Sequence, residues 1–157
     1  MTSSQMRWVG AAALALTLPA GWAMFRVWTR PERPQTLTEF HGVRLGMSAH
    51  DVREAFDRAL SVDMSDELAL VWTRDEGQTF HDPALGDVQN ARFEFHLGLL
   101  VAIRATGQTG RRDHHELTLS HAALRRVADD TQGRATLTLI ARDCPTHAEE
   151  VRRLTAN

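Results

Sequence analysis

Two alternating runs joined by a glycine-bearing turn constrain this chain more than any other feature. Ala91-Arg92-Phe93-Glu94-Phe95 puts an apolar side chain at every second position, and Leu99-Leu100-Val101-Ala102-Ile103-Arg104 follows after His96-Leu97-Gly98. Period-two alternation on both sides of such a turn signals a β-hairpin. The apolar pattern then decides its register, because a slip of one residue sends every side chain to the other face. A two-residue loop, Leu97-Gly98, sets Phe95 opposite Leu100 and Ala91 opposite Arg104. A three-residue loop, His96-Leu97-Gly98, pairs Phe95 with Leu99, Phe93 with Val101 and Ala91 with Ile103. The second arrangement gathers the apolar side chains on one face, so it is the expected form. The other face is then wet, carrying Arg92, Glu94, His96 and Arg104 with an exposed Leu100.

An antiparallel sheet with one apolar face needs a cover. Ser48 can cap a helix whose third residue is Asp51, and Met47 and Val52 form the matching hydrophobic staple. Ala49, Val52, Ala55, Phe56, Ala59 and Leu60 fall on one face, which predicts a helix over about 49–60. Leu68 to Thr73 alternates as a strand before a turn at Asp75-Glu76-Gly77. Glu116 to Leu119 reads as a short strand, Ser120 as the cap of a helix over about 121–129, and Ala135 to Ala141 as a further strand. Pro145 suits the first position of a last helix running to about Leu154. The expected class is α+β: a small antiparallel sheet covered on one face by helices, forming a single domain over 37–157.

Ahead of that domain, Trp8 to Phe25 is an uncharged run of 18 residues between Arg7 and Arg26. As a helix it would cover about 27 Å, close to the hydrocarbon thickness of a bilayer. Trp8, Trp22, Phe25 and Trp28 fit interfacial anchors. Residues 1–29 are therefore read as a transmembrane anchor or signal sequence, and 30–36, with Pro31 and Pro34, as a stiff linker. The expectation is a single-pass inner-membrane protein of a bacterial cell envelope with an extracytoplasmic domain, touching the lipid bilayer through residues 8–28. The alternative is cleavage near Ala23, which leaves a secreted or periplasmic protein.

Composition narrows the function classes. With 43% hydrophobic and 24% charged residues in 157, the chain is that of an ordinary globular protein. All 18 cationic side chains are Arg, yet the net charge is −2 and no basic run exists, so no nucleic-acid partner is expected. The one cysteine, Cys144, excludes an internal disulfide and a multi-cysteine zinc site. No P-loop, G-x-S-x-G or G-x-G-x-x-G pattern is present, and neither an enzyme nor a cofactor is expected.

The Leu45-Gly46-Met47-Ser48 turn, the capped helix with Val52, the Trp72 strand and the 93–101 hairpin together resemble the SmpA/BamE-like domains over roughly residues 40–105. These share a helix-over-antiparallel-sheet layout with the β-lactamase-inhibitor-protein fold. The resemblance implies a small non-enzymatic envelope domain that works by protein contact. Two departures limit it: there is no lipobox cysteine near the N-terminus, and the Gly-x-Pro step after the helix is replaced by Ser61-Val62-Asp63.

The resulting expectation is a membrane-tethered, non-catalytic domain that binds an envelope protein through Arg92, Glu94, His96, Leu100 and Arg104. The alternative is a metal- or pH-responsive sensor built on the His-rich segment 114–121, with His114, His115, Glu116 and His121 as ligands. Cys144-Pro145-Thr146-His147 places a thiol ahead of a helix N-terminus, a setting that lowers thiol pKa, but a small buried residue near a cap is the simpler reading.

Overall fold

The structure, a computed structural model, describes residues 37–65 and 67–156. A short hairpin, β1 (Glu39–Phe40) and β2 (Val43–Arg44), leads into helix α1 (Ala49–Ala55). Then come β3 (Ser61–Asp63), β4 (Ala69–Thr73), β5 (His81–Asp82), β6 (Gly86–His96) and β7 (Leu99–Gln108). The chain continues through β8 (His115–Leu119), β9 (Ala123–Asp129) and β10 (Arg134–Ala141), and ends in a 3-10 turn (Pro145–His147) and helix α2 (Ala148–Thr155). One antiparallel sheet of eight strands dominates, in the order β3-β4-β6-β7-β10-β9-β8 with β5 added beside β6. Strands hold 47% of the described residues and helices 15%. The α+β expectation is thus corrected to a mainly β domain with two short helices.

The sheet is covered on both faces, and that is why it can be so large. Leu70, Trp72, Ala91, Phe93, Phe95, Ile103, Leu137 and Leu139 meet Phe40, Val43, Val52, Phe56 and Phe80 in the main core. Those covering residues come from the β1–β2 hairpin, α1 and the segment before β5. Edge-to-face ring contacts tie the core together, with Phe56 at 5.0 Å from Phe93 and 5.7 Å from Phe80. Each large side chain so buried contributes about 1.5–3 kcal/mol. On the opposite face Ala102, Leu124 and Ile140 pack against Val151 and Leu154 of α2. Helices therefore lie on either side of the sheet rather than on one.

Capping decides where α1 starts, and packing decides where it stops. The Ser48 side chain accepts from the Asp51 N–H while the Asp51 side chain accepts from the Ser48 N–H, the reciprocal box expected from sequence. The helix ends at Ala55 rather than near Leu60, because Phe56 turns extended and drops its ring into the core. The 121–129 helix is corrected to strand β9. There the Ser120 hydroxyl accepts from the N–H groups of Ala122 and Ala123 and so caps a tight turn, not a helix. Leu124 faces α2 and Val127 faces the main core, so both sides of β9 are buried and the strand alternation is hidden.

The central hairpin keeps its apolar face by a different route from the one expected. The loop is the two-residue Leu97-Gly98, with φ of 51° and 80°, as a type I′ turn requires. Phe95 accordingly pairs with Leu100 and His96 with Leu99. A register shift after Glu94 then skips Val101, and Phe93 meets Ile103 while Ala91 meets Ala105. One bulged residue corrects the phase that the three-residue loop was expected to correct.

No helix among the described residues is long and apolar enough to cross a membrane. That finding goes against the single-pass inner-membrane placement and its transmembrane or signal-anchor helix, and the placement is not carried further. The segments that prompted it, residues 1–29 with the possible cleavage near Ala23 and the linker 30–36, lie outside the described residues.

Candidate functional site

Cross-strand pairing in the middle of the sheet creates an electrostatic problem. Arg92 on β6 lies directly opposite Arg104 on β7, and like charges in that position repel. Glu94, two residues along β6 on the same face, resolves it. Its Oε1 accepts from Arg92 Nε at 3.3 Å and from Arg104 Nε at 3.0 Å. The arginines are held at their outer ends as well. Arg92 Nη1 donates to Asp63 at the end of β3, and Arg104 makes a bidentate pair with Glu150 of α2, both bonds at 2.7 Å. The face expected to be wet is instead the seat of the C-terminal helix.

His147 closes the group from the 3-10 turn. Its Nε2 lies 3.1 Å from Glu94 Oε2, and the residue is only 8% exposed. Burial pushes the Glu94 carboxyl up, but the His147 hydrogen bond and the Arg104 charge outweigh it and hold the group at about 2. The Glu94 bond raises His147 to about 9 against the opposing effect of burial. The pair is therefore carboxylate and imidazolium at neutral pH. Arg104 is raised by Glu150, and Glu150 is lowered by Arg104 in return. The Asp63 carboxyl is lowered to about 2 by the Arg92 hydrogen bond.

Cys144 stands behind the imidazole. Burial pushes its pKa up, but the His147 ring and the N–H groups of Thr146 and His147 pull it down by more, for a net lowering. His147 Nδ1 is buried without an aligned hydrogen-bond partner, the thiol interacting with the ring but not bonding to it in good geometry. In front of the imidazole a cleft of about 180 Å³ is lined by Glu67, Leu68, Arg92, Glu94, Thr146 and His147. Thr146 Oγ1 lies 3.1 Å from His96 Nδ1, which also reaches Glu67 at 3.4 Å. Cys144 does not line that cleft and is 5% exposed. A nucleophile needs a lowered pKa and access together. Here the thiol has only the first, and every charge facing the cleft already has a partner. The arrangement locks α2 and the 3-10 turn onto the sheet.

Of the residues expected to form a contact surface, the structure brings Arg92, Glu94, His96 and Arg104 together beneath the C-terminal segment. Leu100 goes elsewhere. The bulge at Val101 assigns it to the main core, 1% exposed, and leaves its neighbour Leu99 52% exposed. Sequence reasoning missed Asp63, His147 and Glu150 as partners. Glu150 sits three residues after His147 and so on the same helical side, but acids in a first helical turn are common for dipole reasons alone.

The histidine cluster is not assembled. His115 begins β8, and His121 lies beyond its far end. The extended run from His115 to Leu119 alone spans about 13 Å, and His121 lies past it in the β8–β9 turn. Among the described residues no group of three or more His, Cys, Asp or Glu side chains is placed to hold a metal ion, so His114, His115, Glu116 and His121 do not form the expected ligand set. Comparison with known proteins found no matching family model, no matching curated protein and no matching solved structure.

Proposed function

We propose that this domain is non-catalytic and acts by contact with another protein, through the tip of the β6–β7 hairpin. One residue carries the reading. Leu97 occupies the left-handed region at φ 51° and its side chain is 91% exposed. An L-residue pays about 1–2 kcal/mol for that backbone conformation, and an exposed leucine recovers nothing by burial. Asn or Gly would serve the turn better. A bulky apolar side chain kept where the isolated fold gains nothing from it fits a surface that a partner covers. Leu99 beside it and Met64 beyond β3, 68% exposed, extend apolar character at the same end of the sheet.

Leu97→Asn separates stability from contact. The variant is expected to melt a few degrees higher, since relief of about 1 kcal/mol shifts a domain of this size by about 4 °C. It should also capture at least tenfold less of the partner that the wild-type protein retains from its own cells. A lower melting temperature, or undiminished capture, contradicts the reading.

A further inference from the structure

Among the described residues the main path of the sheet ends in β3 and β8, with the two-residue β5 beside β6 off that path. The two ends differ in kind. β3 is three residues long and ends on the Asp63–Arg92 ion pair, a blunted edge. β8 runs five residues with neither proline nor bulge, and Leu117 and Leu119, 42% and 47% exposed, project from one face. A long, exposed apolar edge of this kind is a template for another strand.

The hydrogen-bond phase of that edge is fixed by its pairing with β9. The Ser120 N–H donates to Ala123 O at 2.9 Å, and the Asp129 N–H donates to His114 O at 2.7 Å. Bonded and non-bonded pairs alternate along an antiparallel ladder. Residues 116 and 118 therefore bond inward, and the N–H and C=O groups of His115, Leu117 and Leu119 point away from β9.

The edge is also palindromic. The run from His115 to His121 reads His-Glu-Leu-Thr-Leu-Ser-His, symmetric about Thr118 except that Glu116 answers Ser120. We infer that β8 is a self-association edge whose partner is a second copy of this chain, paired antiparallel about a two-fold axis at Thr118. A two-fold interface demands that if residue i meets j, then j meets i, and this segment satisfies that condition. Centring on Thr118 sets Leu117 against Leu119 of the second copy twice over, with both residues in outward-bonding phase. Centring on Leu117 would set Leu119 against His115, and centring on Leu119 would set Leu117 against His121. Only the first register keeps all four leucines in contact.

Charge supports the same alignment. Glu116 comes opposite Ser120 of the second copy, whose carbonyl accepts from Arg142 Nη1 at 2.5 Å. Arg142 is exposed and makes no ion pair among the described residues. Glu116 already lies 3.7 Å from Arg125 of its own chain, and the second copy brings the Arg142 guanidinium to that carboxylate as a further positive charge, an attraction the two-fold repeats. This surface does not rest on the contact assigned to Leu97.

The test uses the full-length chain. Sedimentation equilibrium should give a mass that rises with concentration to twice that of one chain. Leu117→Glu/Leu119→Glu should hold it at one chain over the same range, with unchanged far-ultraviolet circular dichroism. Thr118 faces its own copy across the axis in a non-bonded pair, about 4.5 Å between Cα atoms, within disulfide reach. Thr118→Cys should therefore form a covalent dimer on mild oxidation, at least tenfold faster than Glu116→Cys. A single-chain mass throughout, a double mass that survives Leu117→Glu/Leu119→Glu, or equal cross-linking at 116 and 118 overturns the inference.

Discussion

Glu94 is the residue on which the second face of the sheet depends. It separates two facing arginines and accepts from a histidine, and its three bonds bring β6, β7 and the C-terminal turn together. The pH dependence follows from the direction of each shift. His147 is raised from 6.5 to about 9 on folding, so its stabilising effect is complete below pH 6.5 and lost as pH rises through 9. Glu94 is lowered from 4.5 to about 2, so its effect is complete above pH 4.5 and lost as pH falls toward 2. The two shifts describe largely one interaction and do not add. Melting temperatures measured across pH should plateau between 4.5 and 6.5 and fall toward 9. His147→Gln should flatten the alkaline limb. A wild-type alkaline limb that is already flat would show that the imidazolium–carboxylate bond contributes nothing.

At the scale of elements, what could be read in the sequence was whatever local chemistry alone decides. Ser48 and Asp51 announce the start of α1 because capping is a matter of four residues. Ser48→Ala should cost about 1 kcal/mol in chemical denaturation. A loss below about 0.3 kcal/mol would mean that α1 is held by Val52 and Phe56 alone. The end of α1 was not legible, since it is set by the Phe56 ring finding Trp72, Phe80 and Phe93. For β9 the reading was actively misleading. Leu124 and Val127, three residues apart, mimic a helical stripe because two different layers bury the two faces of the strand. The hairpin was right in kind and wrong in detail, as a bulge leaves no local signature when the residue it skips, Val101, is apolar like its neighbours.

Over the described residues the chain is a mainly β domain, because its one large sheet finds cover on both sides. The α1 side follows from a pattern confined to the first third of the domain. The α2 side needed contacts 46 and 53 residues apart in sequence, Arg104 with Glu150 and Glu94 with His147, and no spacing rule reports those. This is why the residues expected to greet a partner turn out to hold the fold's own C-terminus. The hairpin tip, where Leu97 is both exposed and strained, is the surface we propose for a partner protein, separate from the β8 edge proposed for a second copy. The most direct measurement is photo-cross-linking from a diazirine amino acid placed at position 97, with the same group at Glu76 as the exposed control. The account predicts a discrete protein adduct from position 97 and none from position 76. Equal labelling at the two sites, or no adduct at 97, would contradict it.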